Sequence, residues 1–137
     1  MGNGLAAPFK TRDKSHARIY GHWEHLPAWN QLSVYGRVIL IVMLMDYRKG
    51  QNFIVLSDAE AARRANCARA TAAKAIEELQ ELGWIKVARV GKMRGRKSTR
   101  ASAYYLTMYP EEIGIPATHD YKRWQQIERP KCLHSTA

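Results

Sequence analysis

The stretch that decides the fold is residues 56–87, which read LSDAEAARRANCARATAAKAIEELQELGWIKV. A short polar segment, residues 66–68, separates two runs whose apolar residues recur with helical spacing. Ser57 and Glu60 have the spacing of a capping box, in which each residue bonds a free backbone N–H of the first turn. This pattern predicts one helix that runs to about Ala65, a tight turn, and a second helix directly after it.

The second helix is predicted to run from Arg69 to Leu82, and Gly83 is expected to end it. Its apolar positions share one face, which we expect to be buried: Ala72, Ala75, Ile76, Leu79 and Leu82. The opposite face carries Arg69, Ala70, Ala73, Lys74 and Glu77. The second helix therefore has a buried side and a side that is free for a partner.

The charges of this helix run against its dipole. Both basic residues, Arg69 and Lys74, lie in the first half, whereas Glu77, Glu78 and Glu81 lie in the second half. A helix dipole favours the reverse order. The observed order makes sense if the first half faces phosphate and the acidic half points away from it.

A hairpin is predicted after Gly83. Residues 84–90 and 101–108 alternate in the manner of strands, and residues 91–100, GKMRGRKSTR, form a mobile, positive tip between them. From residue 82 to residue 110 there are seven Lys or Arg residues and no acidic residue. Solvated turns usually mix charges of both signs, so this tip favours contact with phosphate.

The composition of the whole chain also favours a partner that carries phosphate. The 137 residues suffice for one domain, and 22 Lys or Arg against 12 Asp or Glu give a net charge of +10. Such a balance favours a polyanionic partner over a small substrate. No nucleophile–base pair, phosphate loop or carboxylate cluster indicates an enzyme or a cofactor site.

Several classes of protein are disfavoured. Cys67 and Cys132 form no CxxC pair, which argues against a zinc site or a disulfide scaffold and fits a reducing cytoplasm. His22 and His25 alone are too few ligands for a metal site. The longest apolar run, residues 38–45, is eight residues and too short to cross a membrane, and no signal peptide is evident.

The rest of the chain is divided into three parts. Residues 1–18 are expected to be a flexible basic arm, residues 19–110 the domain itself, and residues 111–137 a C-terminal extension. The domain is expected to open with three residues that cap its core: Trp23, Leu26 and Trp29.

Its first long helix is predicted from Val34 to about Arg48, with Ser33 as its N-cap and Gly50 as its stop. This helix is apolar nearly all round, so it is expected to be buried at the centre of the domain. Residues 53–56 are predicted to form a brief strand. In the extension, a short helix is predicted from Thr118 to about Arg129, with Tyr121, Trp124 and Ile127 near one face. It would dock either on the domain's own core or on a second subunit.

The order of these parts resembles the winged helix-turn-helix family of bacterial, phage and plasmid DNA-binding proteins. The resemblance rests on SDAEAA at 57–62, NCARATA at 66–72 and IEELQELGWI at 76–85, and covers about residues 31–108. It implies an α+β fold with a three-helix core and a β-hairpin wing, plus N- and C-terminal extensions. Ala68 departs from the pattern, because such families often carry a capping Ser there, and Asn66 or Thr71 is expected to compensate.

The resemblance also implies which residues contact DNA. In the major groove these would be residues of the second, recognition helix: Arg69, Ala70, Thr71, Ala73 and Lys74. Along the backbone or in the minor groove they would be residues of the wing: Lys92, Arg94, Arg96, Lys97 and Arg100.

Three functions remain open at this stage. The first is a sequence-specific regulator of transcription that binds double-stranded DNA as a homodimer in the cytoplasm. The second is a replication or recombination accessory protein that binds DNA and recruits a partner. The third is an RNA-binding winged helix, which ranks last because RNA recognition calls for exposed aromatic side chains near the binding face.

Overall fold

The computed structural model describes residues 16–94 and 97–126, and for residues 92–94 and 97–100 it describes the backbone only. The fold is α+β: helices pack on one side of a three-stranded antiparallel sheet, and a two-stranded ladder extends beyond it. The helices are α1 (Pro27–Asn30), α2 (Val34–Asp46), α3 (Asp58–Ala65), α4 (Arg69–Glu81) and α5 (Asp120–Arg123), and a single 3₁₀ turn spans Gly21–His25. The strands are β1 (Ile54–Val55), β2 (Ile85–Arg89), β3 (Lys92–Arg94), β4 (Lys97–Arg100) and β5 (Ala103–Leu106).

Helix α2 begins where its sequence predicts and ends early. The Ser33 hydroxyl accepts a hydrogen bond from the Gly36 N–H, which caps the first turn. The helix stops at Asp46, two residues before the predicted end, and Tyr47 is already extended. Tyr47 leaves the helix to stack on Tyr109, with ring centroids 3.9 Å apart, so tertiary packing rather than Gly50 sets this end.

The prediction that α2 is buried at the centre of the domain holds for one side of its middle turns but not for its ends. Ile39, Leu40 and Met43 are fully buried and Val38 and Ile41 half-buried, whereas Val34 and Met45 are 69% and 45% exposed. The apolar character of the helix therefore serves the core only over its central turns.

The sheet has the strand order β1–β5–β2. Strand β1 is confirmed as a strand, but only Ile54 and Val55 of the predicted residues 53–56 belong to it. The side chain of the buried Asn52 completes the pairing beside it: its Nδ2 donates to the Leu106 carbonyl at 2.9 Å, and its Oδ1 accepts from the Leu106 N–H at 2.8 Å. The Asn52 side chain thus makes hydrogen bonds to β5 of the kind that the backbone of a longer β1 would make.

An aromatic cluster joins the two ends of the described chain to the core. Trp84, the residue after Gly83, is fully buried; Tyr121 of α5 stacks on it at 4.3 Å, and Trp23 contacts it edge-on at 4.9 Å. Leu26 and Trp29 pack against the same core, as expected. The predicted C-terminal helix is a single turn, Asp120–Arg123, and Ile127 lies outside the described residues. The extension therefore docks on the domain's own core through Tyr121.

Candidate nucleic-acid interface

The first helix of the pair, α3, is anchored at both ends. The Ser57 hydroxyl accepts from the Glu60 N–H at 3.0 Å, as the capping pattern predicts. The Glu60 carboxylate turns instead to Arg63, and that hydrogen bond lowers the pKa of Glu60. Near the other end, the Arg64 guanidinium makes a bidentate pair with Asp46 of α2, at 2.7 and 3.0 Å.

The turn between α3 and α4 occupies residues 66–68. Asn66 adopts the left-handed conformation, with φ at 56°, and the Cys67 N–H bonds to the Ala62 carbonyl at 3.0 Å. Asn tolerates this conformation better than most residues, because its short polar side chain can bond locally. Cys67 is partly buried against the core, in agreement with a packing role.

The two faces of α4 are divided as predicted. Its apolar side, Ala72, Ala75, Ile76 and Leu79, is buried, as is Leu82 directly after it. On the other side, Arg69, Ala70 and Lys74 are exposed, while Thr71 and Ala73 are half-buried. The five residues expected to face a partner thus lie at or near the surface of the first half of the helix.

The start of α4 has no side-chain cap. Ala68 occupies the N-cap position, and no side-chain cap hydrogen bond is made there. The expectation that Asn66 or Thr71 compensates is therefore wrong at this position. The missing cap leaves free backbone N–H groups beside Arg69, and the positive end of the helix dipole is at the same place.

The acidic second half of α4 has a structural role that the sequence did not indicate. One carboxylate oxygen of Glu78 accepts from both the backbone N–H and the hydroxyl of Ser33, at 2.9 and 2.8 Å. Glu78 thereby fixes α4 against the N-terminus of α2. Because the two residues are 45 positions apart, no local pattern could have linked them. Glu77 and Glu81 remain exposed.

The hairpin tip is more regular than expected. Residues 91–100 were predicted as a mobile loop, yet β3 and β4 form an antiparallel ladder. Its register places Lys92 opposite Arg100 and Arg94 opposite Lys97. Like charges in facing positions destabilise a strand pair, so the ladder has an unfavourable charge pattern when no anion is near. Arg96 lies outside the described residues.

Two other basic residues of the hairpin are engaged within the chain. The Lys86 ammonium lies 3.0 Å from Glu111, and the Arg89 guanidinium donates to the Ala101 carbonyl at 3.0 Å and lies over the Phe53 ring. Lys86 and Arg89 sit at the base of the hairpin and hold it to its surroundings. The other basic residues of the hairpin all belong to the tip in sequence: Lys92, Arg94, Arg96, Lys97 and Arg100.

The described ranges, 16–94 and 97–126, contain no group of three or more His, Cys, Asp or Glu side chains arranged to hold a metal ion. None of the helices described is long and apolar enough to cross a membrane. Comparison of the chain with protein-family models, with curated proteins and with solved structures finds no match.

Proposed function

We propose that this chain is a winged helix-turn-helix protein that binds double-stranded DNA in a sequence-specific manner and regulates transcription. In this proposal α3 and α4 are the helix-turn-helix, with α4 as the recognition helix in the major groove. The wing is the hairpin built on β2 and β5 and extended by β3 and β4. A role on DNA would place the protein with the nucleoid, in the cytoplasm.

The like-charged facing pairs of the β3–β4 ladder carry the proposal. The register places Lys92 opposite Arg100 and Arg94 opposite Lys97, and a bound polyanion would offset the repulsion between such like-charged pairs. DNA presents one negative charge for about every 1.7 Å of helix axis, a density that a row of basic residues can match. The wing would thus contact the backbone or the minor groove.

The exposed start of α4 supports base recognition. Arg69 and Lys74 carry positive charge on the exposed face, and Ala70 is small enough to let the helix approach base edges. Arg69 is suited to guanine, whose O6 and N7 accept a bidentate pair from guanidinium. Thr71 is suited to phosphate or to a thymine methyl group, and the uncapped N–H groups would meet phosphate.

Burial of the core aromatic residues favours DNA over RNA, and among the aromatic residues that the structure describes only Tyr35 and Phe53 are exposed, at 41% and 44%. Trp23, Trp84 and Tyr121 are in the core, and Tyr47 and Tyr109 stack on each other. These side chains are not available as stacking platforms for unpaired bases, which RNA recognition commonly uses.

Selection of bound fragments from random duplex DNA tests the proposal. A regulator should enrich a short consensus, and a palindromic one would indicate two copies on a two-fold site. Absence of any enriched sequence, with binding retained, would instead favour an accessory protein that binds DNA through its backbone alone. Absence of binding at low salt would overturn both.

A further inference from the structure

A pocket of about 210 Å³ opens on the molecule where the segment before the 3₁₀ turn, the end of β5 and α5 meet. It is large for water, whose share of liquid volume is about 30 Å³, and it suits a small organic or inorganic ion. The residues that line it are Tyr20, His22, Met108, His119, Tyr121 and Lys122.

The charge of the pocket has one sign. Three of its six lining residues, His22, His119 and Lys122, are basic, and none is acidic. The nearest carboxylate on α5, that of Asp120, is paired with other cations. It accepts a hydrogen bond from the Arg123 guanidinium at 2.8 Å and lies 4.0 Å from the Lys86 ammonium. Burial, followed by the charges of Lys122, Arg123 and His22, holds the pKa of His119 below its usual value. Lys122 therefore gives the pocket a positive charge, and none of the lining residues supplies a counter-charge.

The His119 imidazole is held in place by its backbone. His119 has a left-handed φ of 51°, and its backbone N–H donates to the Thr107 carbonyl at 2.8 Å. Its Nδ1 lies 3.3 Å from the Tyr121 hydroxyl, and the Tyr121 ring is fixed in turn by its stack on Trp84. A residue other than Gly keeps a positive φ only when the surroundings enforce it, and such positions cluster at binding sites.

The pocket also has an apolar side. Met108 is 6% exposed and Tyr121 is 1% exposed, so both present carbon surface against the buried aromatic cluster. A lining that combines basic side chains with carbon surface suits a carboxylate attached to a small apolar group.

We propose that this pocket is a binding site for a small soluble oxyanion, of which an organic carboxylate is the best match. Lys122 supplies a permanent charge, and His119 and His22 supply charge when they are protonated. The site stands independently of the proposed DNA contact, because none of its residues belongs to α4 or to the hairpin.

The proposal has a defined pH dependence. An anion favours the imidazolium form, so binding adds a proton to His119 and raises its pKa from the lowered value. Affinity is expected to be highest below that pKa and to fall as pH rises through it. The other charged or titratable groups facing His119 are His22, Lys122, Arg123 and Tyr121. Burial raises the pKa of Tyr121, so its hydroxyl stays neutral, and the change is assigned to His119.

Proton NMR of the histidine ring signals in the full chain tests the site. The probes are sodium benzoate and sodium sulfate, which keep their charge between about pH 5.5 and about pH 8, the range over which histidine titrates. Sodium chloride at matched ionic strength is the baseline. We expect the pKa of His119 to rise with either probe and the ring signals of His22 to shift, whereas the ring signals of His25, which does not line the pocket, should stay unchanged.

Paired variants locate the charge that holds the anion. Lys122→Gln is expected to weaken binding about tenfold, the effect of one charge-assisted hydrogen bond. Lys49→Gln, which replaces an exposed lysine that does not line the pocket, should leave affinity unchanged.

Three results would overturn the proposal. The first is an equal shift of the His25 ring signals, which would indicate general ion screening. The second is equal weakening by the two lysine variants. The third is a response of His119 to duplex DNA but to neither free anion, which would assign these cations to the DNA backbone.

Discussion

At the scale of single residues, Gly83 is the position with the tightest constraint. It ends α4 with φ at 86°, as the sequence predicts, and a Cβ there would lie 2.8 Å from the backbone carbon of Asp120. The sequence indicated the first constraint, because glycine after an apolar helix marks a left-handed end. No sequence pattern indicated the steric constraint from the Asp120 backbone, which arises because α5 folds back onto the end of α4.

Gly83→Ala tests this double constraint. We expect it to lower the free energy of unfolding by about 3 kcal/mol, from the left-handed conformation and from backbone overlap together. Gly50→Ala is the matched control: its φ is 81°, but nothing lies within 4 Å of its added Cβ, so it should cost only about 1 kcal/mol. Urea unfolding followed by circular dichroism measures both. Equal losses for the two variants would show that α5 does not press on Gly83.

The uncapped start of α4 leads to a prediction in which a substitution raises the free energy of unfolding. Ala68→Ser places a hydroxyl where it can accept from the free N–H groups, so it should stabilise the fold by about 1 kcal/mol. Ala59→Ser, at an exposed position within the first turn of α3, should give no such gain. Thermal unfolding of the two variants distinguishes them. A gain at neither position would mean that these N–H groups are already satisfied.

At the scale of elements, α3 and α4 were predicted within a residue of their observed bounds. Their caps, glycine and apolar spacing are local signals, and the fold agrees with them. Two exceptions arise from contacts between distant residues, and a third, at the hairpin tip, is local. Tyr47 leaves α2 for Tyr109, Glu78 reaches Ser33, and the β3–β4 ladder forms where two glycines and basic residues indicated a loop. The division of α4 into a buried and an exposed face was predictable from the sequence, whereas the ion pair between Lys86 and Glu111 was not.

Helix and wing should differ in what they recognise. Arg69→Ala is expected to remove about 1–3 kcal/mol of discrimination at particular base pairs, because it deletes a bidentate contact to a base. Replacing Arg96 and Lys97 by Ala should weaken binding to all sequences alike, because phosphate contacts carry no sequence information. Binding to cognate and random duplexes, measured side by side, gives both numbers. Equal losses on both duplexes for Arg69→Ala would show that α4 does not recognise bases.

The wing is also expected to determine how strongly DNA binding depends on salt concentration. If wing and helix neutralise about six phosphates, a plot of log K against log salt should have a slope near −5. The variant lacking Arg96 and Lys97 should flatten it by about 2, and Arg63→Ala, at an exposed ion-paired position on α3, serves as the control. A slope shallower than about −2 for the unaltered chain would show that the hairpin does not contact the DNA backbone.

At the scale of the whole molecule, the aromatic residues outside α3, α4 and the hairpin have a use within the chain. They had suggested either a dimer interface or a cover for the core. Trp23 and Tyr121 are each 1% exposed, Tyr109 stacks on Tyr47, and burial raises the pKa of Tyr109 to about 12. A dimer would therefore have to use other surfaces.

We still expect two copies on DNA. A single winged helix buries roughly 600–1,000 Å², little for selecting one site in a genome, and a two-fold arrangement doubles the contact. Light scattering at micromolar concentration, with and without the selected duplex, measures the stoichiometry. A one-to-one complex would refute the dimer. If a dimer forms, deletion of residues 127–137 tests the end of the chain and spares Tyr121, whose loss would disturb the core.

The burial of Trp84 gives the molecule an optical signal of its own. Indole emission shifts to longer wavelength when water reaches the ring, and Trp84 is sealed by Tyr121 on one side and Trp23 on another. Because Trp84 directly follows Gly83 at the end of α4, its emission reports whether α5 is seated there. Because the chain has four tryptophans, the share of Trp84 is isolated by comparison with Trp84→Phe, and separation of the two elements by heat, by mutation or by a ligand can then be followed without a label.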